Sequence, residues 1–558
     1  MKAVFAFPPI WTKKSPSTGI SSISGYLKTF GYDTKIFDLN IDYYNTILND
    51  LNYNKAIEYA AYLSAKPDIS EKERKQLEFF RKNQKIYSRI VNKVDESTAV
   101  VKSYDFYNDS KYKIAAFVIA KALELLSLRS YPFIIFDEKI ENIDREMSYE
   151  DYKKEALNLD NIFYKFLKMK AEEIAKEKPS YAGVSVNFEG QMLAGLTLAH
   201  ILKNDFGIKT ALGGTHITRS MENIKRDTGL FLDFADFIMI GEGEIPSLRL
   251  LQMLEGKCSL EDVPSLIYME GDGIKSTPLL TEQITTDFVQ DFDYTTDKEY
   301  FLPEKVYPIN ISKGCYWGKC KFCDFSFQYT HKPLTRVINE IKTFKQKYNA
   351  KYFYLTDSAL SPKTANEFAD LLIKEELDIR YTTFLRFENA YDMKFLKKLY
   401  KSGLRCASWG LESGSQKVLD LMNKGTKLDV IDRILKDSAK LKIANRITII
   451  YLFPGETFAD FCETIDFLKK HQENIFFAVF HRYMLKRYSY IFKNMTEFGI
   501  NLTTDEIKSE YHAFELGLPY NQADYNRKLE ELAVFEGEIY KNPDETLLYF
   551  SNKEKSKK

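Results

Sequence analysis

Residues 311–324 read Ile311-Ser312-Lys313-Gly314-Cys315-Tyr316-Trp317-Gly318-Lys319-Cys320-Lys321-Phe322-Cys323-Asp324. Three of the six cysteines of the chain lie here, and we call Cys315, Cys320 and Cys323 the cysteine triad. The apolar run 306–311 predicts a strand, so the triad occupies the loop at that strand's C-terminal end, where barrel enzymes place their chemistry. Thiolates with four and then two intervening residues can surround one metal centre, and this pattern favours a metal over disulfides.

The triad is compatible with more than one kind of site. Structural zinc takes a fourth ligand, usually a Cys or His two to five residues away, whereas the nearest candidate, His331, lies eight residues beyond Cys323. Three ligands without a fourth are typical of a 4Fe–4S cluster with one open iron. The spacing therefore favours a catalytic cluster, with structural zinc and coincidence as alternatives.

A strand–helix alternation follows the triad. Further strands are predicted at 352–355, 381–385, 406–411, 447–452 and 475–480, each preceded by one or two amphipathic helices. Six such units predict a partial (β/α)6 barrel over residues 306–485, with polar residues at the C-terminal ends of its strands.

The N-terminal half predicts a second α/β domain over residues 1–260. Five apolar runs with crossover helices predict a doubly wound, flavodoxin-like parallel sheet whose ligand lies at the C-terminal edge of the strands. Long polar helices rich in Tyr, Lys and Glu predict a helical insertion at about 41–178, either packed over the sheet or serving as a lid. Residues 261–305 are predicted as a linker with a hairpin near Gly271, and 486–558 as a C-terminal helical extension.

Composition excludes several functional classes. The chain has 79 basic and 79 acidic residues and no long basic stripe, which argues against a nucleic-acid partner. No apolar run reaches the roughly 20 residues that span a bilayer, so no membrane partner is expected. The apolar N-terminus is too short for a signal peptide, and the low cysteine content is typical of the cytoplasm.

At the triad, with the aromatic Phe322 before its last cysteine, the sequence resembles radical S-adenosylmethionine enzymes. These usually have three residues between the first two cysteines, and this chain has four. The resemblance implies a 4Fe–4S cluster whose open iron is chelated by S-adenosylmethionine. It also implies contacts to that cofactor from the strand ends. These residues are Phe322, Thr356, Asp357, Ser358, Arg386, Glu412, Ser413, Pro454 and Gly455. A buried charge at a strand end needs a polar ligand, which favours a cofactor contact for Glu412 over a surface ion pair.

The N-terminal domain resembles the cobalamin-binding-type domain that precedes the radical domain in one subgroup. The resemblance rests on Pro8-Pro9, Gly213-Gly214-Thr215-His216 and Gly241-Glu242-Gly243-Glu244. It implies cobalamin contacts from Ser185, Gly213, Gly214, Thr215, Gly241 and Glu242. The Asp-x-His-x-x-Gly motif that ligates cobalt is absent. His216 is therefore expected not to coordinate the metal.

The resemblance implies an enzyme that generates a 5′-deoxyadenosyl radical from S-adenosylmethionine, with an external one-electron donor such as flavodoxin or ferredoxin. With cobalamin, C-methylation or a related radical modification of an unknown small molecule or peptide is expected. The cofactors carry this chemistry, so no side chain is assigned a catalytic role. One alternative is a cobalamin-independent radical enzyme (cyclisation, rearrangement or oxidation) that binds substrate in the first domain. Another is a non-catalytic zinc- or nucleotide-binding regulator.

Overall fold

The protein divides into two compact units, residues 1–303 and 304–558. The computed structural model describes residues 1–280, 284–324, 329–502, 511–512, 514–516, 522–530 and 543–553. The segment 261–303, predicted as a linker, belongs to the first unit.

The first unit is built on a seven-stranded sheet. Its strands and those of its insertion are β1 (Lys2–Phe7), β2 (Asp33–Asp38), β3 (Phe133–Phe136), β4 (Lys139–Asn142), β5 (Tyr181–Ser185), β6 (Thr210–Gly213), β7 (Phe237–Met239), β8 (Leu266–Glu270) and β9 (Gly273–Ser276). The sheet order is β2-β1-β5-β6-β7-β8-β9, and the first five strands are parallel. This confirms the doubly wound fold. The hairpin β8–β9, from the segment predicted as a linker, extends the sheet antiparallel.

Helices cover the sheet and form most of the insertion. They are Thr18–Thr29, Leu39–Ile47, Asp50–Ala65, Glu71–Arg89, Val94–Lys102, Asp109–Leu126, Tyr149–Ala156, Tyr164–Lys176, Met192–His200, Thr215–Arg219, Met221–Ile224, Thr228–Asp233 and Glu244–Leu254. The insertion also contains the antiparallel hairpin β3–β4, which was not predicted. Its strands are only four residues long, too short for alternation to distinguish them from loop.

The second unit contains the predicted partial barrel. Its strands are β10 (Val306–Ile309), β11 (Ser312–Lys313), β12 (Thr330–His331), β13 (Tyr352–Leu355), β14 (Arg380–Leu385), β15 (Leu404–Glu412), β16 (Ala444–Tyr451), β17 (Phe477–Arg482), β18 (Leu485–Lys486), β19 (Ile500–Leu502), β20 (Tyr511–His512) and β21 (Phe514–Leu516). β10 and β13–β17 form one parallel six-stranded sheet in chain order. Every C-terminal strand end therefore lies at the same rim, and the fold prediction is confirmed.

The helices of the second unit alternate with these strands. They are Leu334–Tyr348, Pro362–Lys374, Met393–Ser402, Gln416–Leu421, Leu428–Lys440, Phe458–Lys470, Tyr490–Lys493, Gln522–Glu530 and Pro543–Lys553.

The C-terminal extension was predicted to be helical, but the described part is not purely helical. The described part also contains two short antiparallel pairs, β18–β20 and β19–β21. The last helix packs against β13, β14 and β15 and buries Leu547 and Leu548. Pairs of two or three residues carry too little periodicity to be predicted from sequence. The rest of the extension lies outside the described residues.

Among the described residues, no helix is long and apolar enough to cross a membrane.

Candidate functional site

The cysteine triad lies between β11 and β12, which pair as an antiparallel ribbon. Gly314 at φ 74° and Gly318 at φ 59° adopt left-handed conformations on either side of Trp317. These turns, which a side chain would strain, accommodate the additional residue between the first two cysteines. The amide of Cys323 donates to the carbonyl of Cys320 (3.1 Å); none of the three cysteines forms a disulfide, and all three are half-buried.

Asp357, just after β13, anchors the strand that leads into the triad. Its buried carboxylate accepts hydrogen bonds from the amide of Ile311 (3.1 Å) and from the amide and hydroxyl of Ser312. Burial raises the pKa of the Asp357 carboxyl, and these hydrogen bonds oppose the rise. These hydrogen bonds fix the loop that carries the triad, and the predicted contact of Asp357 with S-adenosylmethionine stays a prediction.

Arg386 follows β14 and lies beside the triad with 4% of its surface exposed. Its Nη2 donates to the carbonyl of Lys424 (2.6 Å), and its Nη1 lies 3.9 Å from Cys320 Sγ. Its Nε is 3.5 Å from Glu388 Oε1 but makes no hydrogen bond in the described structure. The arginine therefore places a buried cation next to a predicted cluster ligand, and its Nε–H remains available to a ligand.

Glu412 ends β15 and forms a buried ion pair. Its Oε1 lies 2.8 Å from Lys424 Nζ, and Thr448 Oγ1 lies 3.4 Å from Oε2. Glu412 adopts φ 69°, next to a shift in the register of β15 against β16, which turns its side chain towards Lys424. Lys424 offsets the charge of Glu412, so burial alone does not require a ligand there, and the predicted contact of Glu412 with the cofactor stays a prediction.

Two other predicted cofactor residues, Ser413 and Phe322, contact different parts of the second unit. Ser413 contacts Thr464 (3.0 Å) and so faces the helix Phe458–Lys470. Phe322 packs on an apolar cluster that includes Met422 and Phe453, and Lys424 Nζ lies 5.8 Å from the centre of its ring.

The four remaining residues lie in turns at the barrel rim. Thr356 is tied to Ile309 by its amide (2.8 Å) and hydroxyl (3.2 Å), and Ser358 is half-buried in the same turn. Pro454 and Gly455, the latter at φ 89°, form a turn closed by the Glu456 amide on the Phe453 carbonyl (2.8 Å).

The charges around the triad fit an anionic cluster. Burial raises the pKa of the Cys320 thiol, and the cations Lys424 and Arg386 oppose this effect. A cluster held by three thiolates carries net negative charge, which two buried cations stabilise. Within the described residues, no three His, Cys, Asp or Glu side chains are drawn together tightly enough to hold a single metal ion. The side chain of His331 is exposed on β12.

In the first unit, the predicted cobalamin residues share one sheet edge, because Ser185, Gly213 and Gly241 follow neighbouring parallel strands. The Thr215 amide donates to Asn187 Oδ1 (3.2 Å), and the Gly241 amide donates to Thr218 Oγ1 (2.9 Å).

Gly214 and Gly241 differ in the space that surrounds them at this edge. A Cβ on Gly214 would lie 2.4 Å from the Val186 carbonyl oxygen, so backbone packing requires glycine there. A Cβ on Gly241 would meet nothing within 4 Å, so this turn, with the exposed Glu242 beside it, is open to a ligand. His216 is 2% exposed.

The insertion reaches the same edge. Glu138, in the turn of the hairpin β3–β4, accepts a hydrogen bond from the Thr12 hydroxyl (3.0 Å) in the loop after β1. Asp137 forms an ion pair with Lys13 of that loop. These contacts place the hairpin against the loop after β1, and the role of the insertion as a lid stays a prediction.

Two important residues were missed by the sequence analysis, Lys424 and Trp317. Lys424 belongs to a Met-Asn-Lys-Gly turn that gave no motif, and the helix Gln416–Leu421 separates it from the strand-end motif at Gly410–Gly414. Trp317 was quoted within the triad segment without a role.

Residues 309–468 match the model of the Radical SAM superfamily. The chain contains a radical SAM domain. This domain implies a 4Fe–4S cluster and S-adenosylmethionine, as predicted from the triad and the strand ends.

Sequence relatives include methyltransferases. An uncharacterized methyltransferase of Pyrococcus horikoshii is 26% identical over 311 residues, covering 54% of this chain and 66% of that protein. The bacteriochlorophyllide d C-8(2)-methyltransferase of Chlorobaculum tepidum is 26% identical over 300 residues, covering 51% and 62%. The matches span less than two thirds of each relative's length.

The fold is similar to that of a solved radical S-adenosylmethionine methyltransferase, TsrM from Kitasatospora setae, whose structure contains cobalamin and a [4Fe-4S] cluster. The TM-score is 0.59 at 12% identity, covering 94% of this chain and 90% of that one. At this identity the likeness concerns the fold alone.

Proposed function

We propose that this protein is a cobalamin-dependent radical S-adenosylmethionine enzyme that methylates a carbon of a small-molecule or peptide substrate, or modifies it by a related radical reaction. The observation that carries the proposal is the triad of half-buried cysteines, none of them in a disulfide, beside buried Arg386 and the buried Glu412–Lys424 pair. The radical SAM domain and the methyltransferase relatives support it.

The chain's own residues would bind and orient S-adenosylmethionine at the barrel rim. The buried Nε–H of Arg386 makes no hydrogen bond among the described residues, and a buried donor without an acceptor costs about 1–3 kcal/mol. A carboxylate of the cofactor would satisfy it. Lys424 occupies one oxygen of Glu412, and the other, with Thr448 at 3.4 Å, would accept from an amino or hydroxyl group.

The open edge of the first sheet supports the cobalamin part of the proposal. The small residues Ser185, Gly213 and Gly241 leave room for a broad ligand above the strand ends. When bound, cobalamin would supply the methyl group for transfer. Because His216 is buried within this unit, we expect that it would not coordinate the cobalt.

We further propose that the electron arrives from an acidic carrier, such as flavodoxin or ferredoxin, at the exposed side of the triad loop. Lys319 adjoins Cys320, is exposed, and has no carboxylate within 4 Å among the described residues. Lys321, two residues on, lies over the rings of Tyr490 and Phe498. Basic side chains at a docking surface accelerate encounters with an acidic partner. A reducing compartment, the cytoplasm, suits such a centre.

The test is anaerobic purification and reconstitution, followed by measurement of iron, sulfide and corrin. The proposal predicts four irons per chain and reductive cleavage of S-adenosylmethionine. It also predicts hydroxocobalamin that survives desalting and that, after reduction to the Co(II) form, gives a paramagnetic-resonance signal free of nitrogen coordination. Iron and cleavage without retained corrin would leave a cobalamin-independent radical enzyme. One colourless zinc per chain would indicate a regulator and overturn the proposal.

A further inference from the structure

The enlarged interval of the triad contains a tryptophan that contacts the predicted cofactor site. The ring of Trp317 stacks on the guanidinium of Arg386, with the arginine Cζ 4.2 Å from the ring centre. The indole N–H donates to the carbonyl of Asn423 (3.2 Å). One side chain thus links the triad loop to the arginine and to the turn after the helix Gln416–Leu421.

Three backbone-directed bonds reinforce the same junction. Asn423 Nδ2 donates to the carbonyl of Lys319 (3.0 Å), and the amide of Lys321 donates to the carbonyl of Met422 (3.0 Å). Arg386 Nη2 donates to the carbonyl of Lys424 (2.6 Å). We call these contacts, together with those of Trp317, the loop clamp.

A glycine on the opposite side makes room for the indole. Gly425 adopts φ 69°, and a Cβ built on it would lie 2.3 Å from the Trp317 ring. Gly318, at φ 59°, reverses the chain so that Lys319 can accept from Asn423. The additional residue between Cys315 and Cys320 is therefore integrated into a set of specific contacts.

We propose that Trp317 is a positioning residue that acts through Arg386. It holds the guanidinium plane beside Cys320 and fixes the triad loop against the 422–425 turn, so that cluster and S-adenosylmethionine meet in one geometry. This inference rests on the proposed function, since it assumes that the loop holds the cluster and that Arg386 binds the cofactor.

The chemistry of the indole accounts for the choice of residue. A flat aromatic face attracts a guanidinium most strongly when both are removed from water, and Arg386 is almost fully buried. The indole N–H adds a directed hydrogen bond that phenylalanine cannot make. Trp317→Phe keeps a stacking face and loses the bond, whereas Trp317→Leu loses both.

The experiment compares both variants with Tyr400→Leu. This control breaks a matched stack, with Arg405 Cζ 4.1 Å from the Tyr400 ring, near the N-terminal end of β15 and so at the opposite end of the barrel from the triad. The measurements on reconstituted full-length protein are iron per chain, the Kd of S-adenosylmethionine, and the change that this ligand causes in the paramagnetic-resonance spectrum of the reduced cluster.

We expect Trp317→Leu to raise the Kd per loaded cluster about tenfold or more and to reduce the ligand-induced spectral change. The Kd and the spectral change of Trp317→Phe should lie between those of Trp317→Leu and those of the parent protein. Tyr400→Leu should match the parent protein in both measurements. A normal Kd and spectral change per loaded cluster in Trp317→Leu, with only iron content or stability lowered, would show a purely structural role and overturn the inference. Failure of the parent protein to bind iron would instead refute the proposed function.

Two further variants alter the loop clamp without changing Trp317 itself. Gly425→Ala pushes a methyl group into the indole, and deletion of Gly318 restores the three-residue interval that the resemblance implies. Both should raise the Kd per loaded cluster several-fold. Unchanged binding in the deletion variant would show that the additional residue is a neutral insertion, against the inference.

Discussion

The buried pair Glu412–Lys424 makes the sharpest prediction about the site. Lys424→Met keeps most of the side-chain volume and removes the charge. Glu412 and Lys424 are 7% and 5% exposed, and their charged atoms are 2.8 Å apart. The substitution leaves a buried carboxylate whose remaining neighbour, Thr448, lies at 3.4 Å or more.

The magnitude follows from this burial. Removing one partner of a buried ion pair costs about 3–5 kcal/mol, because the other charge remains desolvated. For a unit of this size, about 2–4 °C of melting temperature corresponds to each kcal/mol, so a loss of roughly 6–20 °C is expected. Replacing Glu412 by Gln as well removes the orphaned charge and should recover most of the loss.

The assay is thermal unfolding followed by tryptophan fluorescence, since two of the three tryptophans, Trp317 and Trp409, belong to the second unit. Glu412→Gln, Lys424→Met and the double variant complete a mutant cycle. S-adenosylmethionine titrations on the same proteins separate stability from binding. The double variant should regain stability but still bind the cofactor weakly.

Two results would refute this reasoning. A loss below about 1 kcal/mol in Lys424→Met would mean that the pair behaves as a solvent-screened surface contact. Unaltered S-adenosylmethionine binding in the stable double variant would remove Glu412 from the cofactor site.

Three further predictions concern the cluster, its electron donor and pH. Alanine at any member of the triad should abolish iron binding and S-adenosylmethionine cleavage. Alanine variants of the other cysteines, Cys258, Cys406 and Cys462, should still bind iron. A full iron content in Cys320→Ala would contradict the ligand assignment. Lys319→Glu should slow turnover with flavodoxin several-fold, more at low salt, and leave turnover with dithionite unchanged, whereas equal slowing with both reductants would exclude a docking role. Burial raises the pKa of Glu456 from 4.5 to about 8, so the folded state keeps a proton that the unfolded state loses between these values. The free energy of unfolding should therefore fall with rising pH over that interval by up to about 1.4 kcal/mol per pH unit. Glu456→Gln, whose amide oxygen can still accept from the Leu452 amide, should make the free energy of unfolding less dependent on pH over this interval. The same pH dependence in the variant and the parent protein would show that Glu456 ionises normally.

Much of the fold could be predicted because the parallel strands are long apolar runs separated by amphipathic helices. The strand Tyr352–Leu355 has the predicted bounds. The short antiparallel pairs β3–β4, β18–β20 and β19–β21 could not be predicted, whereas the turn at Gly271 correctly indicated the hairpin β8–β9. Their pairing partners, rather than a local pattern, determine that they form.

For the site, the sequence by itself determined which side chains reach the barrel rim. The end of a parallel strand is a local property, so the triad, Arg386 and Glu412 follow from the alternation of strands and helices. Only the tertiary structure decided how these side chains are used. Asp357 turns to Ser312, Glu412 pairs with Lys424, and Trp317 covers Arg386. The Asp357–Ser312 and Trp317–Arg386 contacts join segments far apart in the chain, and the Glu412–Lys424 pair lies across a helix. Near Trp317 and Lys424 the chain turns through left-handed residues such as Gly318 and Gly425, and side-chain direction in such turns depends on packing that no local pattern encodes.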